Sequence, residues 1–227
     1  MVRLGQNFLA DPNLLDAIVR DAGLASSDVV LEVGAGEGVL TERLADRVAR
    51  VHVIEIDRGL EPGLAATIVR PNVNLVWADA VRYPLEDLQP PPTAMVANLP
   101  YAVATPVILR SVFDLPSIRH WTVMVQKEIG DRLRAGPGSK TYGAPSVLLQ
   151  LAGEVRQLRK VSRTVFRPQP RVDSAIIRID RTGPGPDEGT RRLVRAGFSL
   201  RRKAMARSVE MAIPGSLEKV RAALERE

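Results

Sequence analysis

Five short apolar runs, Val29–Val33, Val51–Ile56, Val73–Trp77, Thr93–Ala97 and Trp121–Val125, alternate with segments of helical spacing. Runs that stay apolar at successive positions belong to strands covered on both faces, and strands joined through helices build a parallel sheet. The pattern therefore predicts an α/β fold with a mostly parallel, doubly wound sheet. The helical segments are 12–22, Val39–Arg47, 58–70, Pro106–Phe113 and Lys127–Arg134. Asp11 and Pro12 read as the N-cap and first residue of the first of these. Pro62-Gly63 weakens the third.

After Gly136 the punctuation changes. A loop over 136–140 leads to a helix at 145–152 and to strands near 155–161 and 173–180, which suit a hairpin closing one edge of the sheet. Residues 181–186 (Arg-Thr-Gly-Pro-Gly-Pro) read as a linker. The expected division is a catalytic unit over 1–181 and a small, basic, helical second domain over 187–227.

Charge is split along the chain. Residues 156–227 carry 18 Lys and Arg against 8 Asp and Glu, whereas residues 1–155 carry 14 against 18. A basic final third points either to a polyanionic partner such as nucleic acid or to a solvated Arg-rich surface. The chain has no cysteine and two histidines, which argues against disulfides, thiolate metal sites and a His-rich metal centre, so no metal is expected. No apolar run has the length of a membrane span, and Met1–Gln6 lacks the apolar core of a secretion signal, so a cytoplasmic protein is expected.

The first long strand ends in Leu31-Glu32-Val33-Gly34-Ala35-Gly36-Glu37-Gly38. Glycines there let the backbone turn sharply and approach a ligand, and the next helix presents free N–H groups. Glu55, at the end of the second strand, is placed to accept hydrogen bonds from ribose hydroxyls. The spacing is G-x-G-x-G, and Val39 stands where a strict dinucleotide fingerprint has its third glycine. Asp79 closes the third strand and reads either as a helix cap or as an acceptor for an adenine amine.

Asn98-Leu99-Pro100-Tyr101 follows the fourth strand, which places it at the carboxyl edge of the sheet beside the glycine turn. Its residue types suit methylation of an amine on a planar base. The lone pair of an adenine N6 is delocalised into the ring, and two acceptors on its hydrogens favour a more tetrahedral, nucleophilic nitrogen. The Asn98 side-chain oxygen and the Leu99 carbonyl supply such acceptors, Pro100 stiffens the turn and Tyr101 stacks on the base. With a reactive methyl donor, alignment and electrostatics suffice without a dedicated base. Phe166, on a loop stiffened by Pro168 and Pro170, is either a clamp opposite Tyr101 or an ordinary core residue.

Together with Leu4–Leu9, Gln126-Lys127-Glu128, Ser139–Gly143, Phe166–Ser174 and Phe198–Lys203, these segments resemble, in order, the rRNA adenine-N6 dimethyltransferases. The resemblance implies a Rossmann-like class I methyltransferase fold and S-adenosylmethionine as cofactor. It places Gln6, Asn7, Leu9, Gly34, Gly36, Glu55, Ile56, Asp79, Ala80 and Asn98 at the cofactor, with Gln6–Phe8 over its methionine end. It places Asn98, Leu99, Pro100, Tyr101 and Phe166 at the target adenine, and the expected RNA contacts are Arg201, Arg202 and Lys203. Within the family the chain is more similar to the KsgA type, which dimethylates two adjacent adenosines near the 3′ end of small-subunit rRNA. The implied partner is an immature small ribosomal subunit, met by a monomer. The Erm type, acting on large-subunit rRNA, and a non-enzymatic RNA-binding assembly factor are the competing expectations. The chain departs from the family pattern at Ala102, where Asn is common, and in a short region after Lys203.

Overall fold

The computed structural model describes residues 6–200 and 204–226, with the side chains of 66–68 outside that description. A seven-stranded sheet organises them, in the order β4-β3-β2-β5-β6-β9-β7. Strands β2 (Val29–Val33), β3 (Arg50–Glu55), β4 (Val73–Trp77), β5 (Ala94–Asn98) and β6 (His120–Gln126) are mutually parallel. β9 (Ser174–Arg181) runs antiparallel to β6, and β7 (Gly153–Val161) pairs antiparallel with β9 at the edge. The two late strands thus close one edge as expected, with the later strand on the inside. A separate two-stranded piece, β1 (Phe8–Leu9) with β8 (Phe166–Arg167), has no counterpart in the sequence reading. Two residues per strand are too few to leave a periodic signal.

Alternate strand residues feed two hydrophobic layers, as strand geometry requires. Leu31, Met95, Ala97, Trp121 and Val123 pack with α4 (Ala104–Asp114), α5 (Lys127–Leu133) and α6 (Ala144–Gln150) on one face. Val30, Val51, Val53 and Val96 pack with α1 (Pro12–Ala22), α2 (Val39–Ala45) and α3 (Glu61–Ile68) on the other. Helix α1 starts as the sequence predicts: Asp11 Oδ1 accepts from the Asn13 and Leu14 amides at 2.9 and 3.2 Å, and Pro12 opens the helix. The segment from 58 splits into a 3-10 turn over Arg58–Leu60 followed by α3, which takes Pro62 in its first turn, where no intrahelical N–H is lost.

Three helices follow the sheet, α7 (Glu188–Phe198), α8 (Met205–Ala212) and α9 (Leu217–Leu224). Helix α7 packs on α6, and its Arg191 guanidinium sits 4.6 Å from the Phe113 ring centroid of α4. Among the described residues, no helix is long and apolar enough to cross a membrane.

The far end of α4 is held by Arg181, at the end of β9. Its guanidinium donates to the carbonyls of Ile118, Val112 and Leu115 at 2.6, 2.9 and 3.2 Å and stacks 5.0 Å from the Trp121 ring. The Leu115 carbonyl also accepts from the Ile118 amide at 3.2 Å, so Arg181 serves chiefly those of Val112 and Ile118, and the cation complements the negative end of the helix. Replacing Arg181 by Leu strands these two, and urea unfolding should register a loss of about 2–3 kcal/mol.

Candidate active site

Strand order reverses between β2 and β5: the chain leaves β2 toward β3 and β4, and leaves β5 toward β6. In an open parallel sheet the loops beyond this point diverge and leave a crevice at the carboxyl ends of the strands. A cavity lies there, between the turn after β2 and the segment after β5.

The two loops touch. Gly34 has φ +78, and a Cβ on it would lie 2.9 Å from Pro100 Cδ. Gly36 has φ +60, and a Cβ there would lie 3.0 Å from the Phe8 ring. Both glycines are therefore fixed by a left-handed backbone and by a close neighbour. The segment before α1 crosses this turn. Leu9 pairs with Phe166 in the β1–β8 ladder, and Gln6 Nε2 donates to Asp57 Oδ2 at 2.8 Å just past β3. Gln6, Asn7, Phe8 and Leu9 all line the cavity.

Two buried carboxyl groups stand beneath. Glu55 is a bracket: Oε1 accepts from the Ile56 and Asp57 amides at 2.8 and 2.9 Å, and Oε2 from the Gly36 amide at 3.2 Å. It joins the end of β3 to the glycine turn while remaining part of the cavity wall. Glu32, in β2, is 1% exposed, and its Oε2 has no hydrogen-bond partner. Burial pushes its pKa up to about 8; the Thr41 hydroxyl opposes the rise and the Glu55 carboxylate adds to it.

Asp79 lines the cavity from the end of β4. Its Oδ1 accepts from the Val81 amide at 2.9 Å, which closes a turn and caps no helix, and Oδ2 lies 3.6 Å from Arg82. Arg110 of α4 secures this turn by donating to the carbonyls of Ala80, Val81 and Tyr83 at 3.2, 2.7 and 3.0 Å. Ile56, 54% exposed on the same wall, offers an apolar face to a flat ring.

The segment after β5 is pinned at three points. Leu99 is 1% exposed in the core, and its amide donates to the Met124 carbonyl at 3.0 Å. The Pro100 carbonyl accepts from the Val103 amide at 3.1 Å, closing the turn. The Tyr101 hydroxyl lies 2.8 Å from Ser174 Oγ, the first residue of β9, which is itself 1% exposed. Burial raises the Tyr101 pKa, the Ser174 bond opposing and the Asp173 carboxylate adding, so the ring carries a neutral phenol. Among the described residues the Asn98 side chain and the Leu99 carbonyl have no hydrogen-bond partner. Two acceptors thus stand free at the head of the crevice, beside an aromatic ring whose position is fixed.

Gln6, Asn7, Leu9, Gly34, Gly36, Glu55, Ile56, Asp79, Ala80, Asn98, Leu99, Pro100 and Tyr101 therefore share one cavity. Phe166 does not line it. It is 2% exposed and packed in the layer that contains Leu9, Met124 and Ile176, so its position here is that of a core residue and not of a clamp opposite Tyr101. The β1–β8 pairing, invisible in the sequence, is what draws it in. Arg201, Arg202 and Lys203 lie outside the described residues. Sequence reasoning gave no role to Glu32, Arg110 or Ser174. Only Glu32 left a signal, as an acid inside an otherwise apolar buried strand.

The family model for ribosomal RNA adenine dimethylase matches residues 2–223. A ribosomal RNA small subunit methyltransferase A from Rubrobacter xylanophilus is 43% identical over 218 residues, covering 95% of this chain and 81% of that protein. The protein of the same name from Mycobacterium tuberculosis is 47% identical over 213 residues, covering 88% of this chain and 67% of its own length. Among solved structures, a dimethyladenosine transferase from Plasmodium falciparum superposes with a TM-score of 0.77 at 26% identity, covering 94% of this chain and 77% of that one. The 23S rRNA methyltransferase ErmE superposes with a TM-score of 0.69 at 30% identity, covering 96% and 89%.

Glu32 is expected to make the ligand-free protein lose stability as pH rises from the usual 4.5 to about 8, because the folded state alone holds the proton in that window. The Tm of Glu32→Gln should exceed that of the parent at pH 8.5, and the gap should close toward pH 5. Ser174→Ala frees the Tyr101 ring while leaving the crevice intact. KM for the base-bearing substrate should rise about five- to tenfold, the scale of one hydrogen bond, with the affinity for a nucleoside cofactor unchanged; steady-state kinetics separates the two.

Proposed function

Because the chain belongs to the ribosomal RNA adenine dimethylase family, we infer that its crevice transfers methyl groups from S-adenosylmethionine to adenine N6 in small-subunit rRNA. The observation that carries this reading is the pair of unpartnered acceptors at Asn98 and Leu99, held against the Gly34 turn by Pro100. Large-subunit rRNA, which the 23S rRNA methyltransferase ErmE is named for, is the less favoured target, since the relatives at 43–47% identity are small-subunit enzymes by name.

The residues present fit the cofactor. Glu32 Oε2 is a buried carboxyl oxygen without a partner, suited to an ammonium group, and it stands in the wall of the same cavity as the glycine turn. When bound, the cofactor supplies an electrophilic methyl group on a sulfonium. In this reading Glu32 faces the methionine end, while Gly34 and Gly36 allow close backbone approach. Glu55, whose oxygens already hold three amides, retains acceptor capacity for a ribose hydroxyl. Asp79 and Ile56 border the adenine ring.

At the acceptor side, Asn98 Oδ1 and the Leu99 carbonyl receive the two N6–H bonds of the target adenine, and Tyr101 stacks on its face. This draws the nitrogen lone pair out of the ring and aims it at the methyl carbon. An N–C bond forms as the C–S bond breaks, and the N6 proton leaves to solvent. No side-chain base is required, because preorganised acceptors act where charge develops. After one transfer the amine retains a single N–H, and a second round uses one of the two acceptors.

The helices over 187–227 would form the basic unit that docks the RNA, with Arg201, Arg202 and Lys203 among its contacts, and the protein would act as a cytoplasmic monomer. Phe166 would reach the base only if the β1–β8 pair opened.

Nucleoside mass spectrometry on small-subunit particles lacking the modification tests the reading. The parent protein should generate N6,N6-dimethyladenosine in small-subunit rRNA and none in large-subunit rRNA. Asn98→Ala should lower kcat by about 100-fold or more, the loss typical of one preorganised polar group, with cofactor affinity nearly unchanged. Normal cofactor binding with no dimethyladenosine in either rRNA would overturn it.

A further inference from the structure

The same edge of the sheet carries a second concavity that methyl transfer leaves unused. It opens between the end of β6 and the loop that enters β9, and its lining includes Gln126, Lys127, Arg163, Arg171, Val172 and Asp173. It shares a wall with the active site. Gln126 is the register partner of Ser174, whose hydroxyl holds Tyr101, and Asp173 immediately precedes Ser174.

Its floor is ordered by backbone bonds. The Lys127 amide donates to the Asp173 carbonyl at 2.9 Å, and the Arg163 amide donates to Asp173 Oδ1 at 3.0 Å. Three cations (Lys127, Arg163, Arg171) and three acids (Glu128, Asp131, Asp173) line it, but the acids are partly committed: Glu128 pairs with Arg132. Arg163 Nη1 donates only to the Arg171 carbonyl, at 3.2 Å, and among the described residues neither Arg163 nor Arg171 forms an ion pair. Lys127 pairs with Asp131, but Asp131 also serves Arg134, so one acid answers two cations. Beside the two free guanidinium groups, Val172 is 45% exposed.

We propose that this concavity is a subsite for the nucleotide next to the target adenosine, with the phosphodiester between the two held by Arg163 and Arg171. The proposal rests on the reading of the chain as an RNA adenine dimethyltransferase. Guanidinium groups match a phosphodiester in geometry and charge. The Val172 side chain gives a neighbouring base an apolar face, and the second oxygen of Asp173 is an acceptor for a ribose hydroxyl. That carboxylate repels a phosphate dianion more strongly than the single charge of a phosphodiester, so the combination favours a nucleotide within a strand over a free phosphate. The Tyr101–Ser174 bond sets the spacing, since it fixes the stacking ring relative to the loop that carries both arginines.

Fluorescence anisotropy with a synthetic hairpin from the 3′ end of small-subunit rRNA tests this in a double-mutant cycle. Single phosphodiesters flanking the target adenosine are replaced in turn by neutral methylphosphonates. The parent should lose about tenfold in affinity at one flanking linkage, the scale of a charge-assisted hydrogen bond. The Arg163→Gln/Arg171→Gln protein should lose about as much on native RNA and then be indifferent to that replacement. Arg163→Lys/Arg171→Lys should recover part of the affinity and all of the sensitivity. The idea is overturned if the Gln variant binds native RNA like the parent, or if its losses add to the methylphosphonate losses at every linkage. S-adenosylmethionine affinity, measured on each variant, reports that the donor site is folded. Methylation of the same hairpin is scored separately: an intact coupling without methylation would count against the enzymatic reading and still support the subsite.

Discussion

The contact between Gly34 and Pro100 is the constraint on which the site depends. At the point where strand order reverses, the turn after β2 and the segment after β5 share one narrow gap, and a side chain at 34 would come within 2.9 Å of the proline ring. The glycine satisfies two demands at once, a left-handed backbone and the absence of a Cβ. The proline is rigid enough to hold the opposing wall without side-chain freedom of its own. Donor and acceptor halves thus meet through two residues with almost nothing to rearrange. That suits a reaction whose rate depends on alignment.

Around that contact, the carboxyl groups divide the work by their surroundings. Glu55 accepts from three backbone amides, so its first task is to tie the end of β3 to the glycine turn. Glu32 is buried with an oxygen unanswered, and it holds its proton until something cationic arrives. The segment before α1 closes over both. It is anchored at Asp57 on one side and at β8 on the other, so two distant parts of the chain must already be placed before it can lie down.

Much of this was legible in the sequence. The parallel strands announce themselves as short, mainly apolar runs, because covering both faces removes a regular polar alternation. The glycine turn, Glu55 and the Asn98–Tyr101 segment are readable because each residue type answers a local chemical need. The parts that were not legible are tertiary. Ser174 looks like any strand serine until β9 is placed beside β6 and brings its hydroxyl to Tyr101. Phe166 looks free ahead of its prolines until Leu9, more than 150 residues earlier, pairs with it. Arg110 is an ordinary helical arginine until the turn after β4 settles against it. Glu32 was visible as an anomaly, an acid in an apolar strand, but its meaning required knowing that nothing in the protein meets its second oxygen.

The reversed direction of β9 has an architectural effect. A strand parallel to β6 would begin at the blunt end of the sheet and bring only its last residue to the reactive edge. Running the other way, β9 starts at that edge, and the chain enters it from above through residues 162–173 before descending into the core. That stretch is anchored at both ends, by β7 behind it and β9 ahead, with β8 as its only internal strand. Its β8 holds Leu9, and with it the segment that crosses the glycine turn, so this part of the stretch is tied to the donor half. Among the described residues, those on either side of β8 make no hydrogen bond to the glycine turn, Glu55 or the tetrapeptide, so length and charge there are the fold's adjustable margin at the reactive edge.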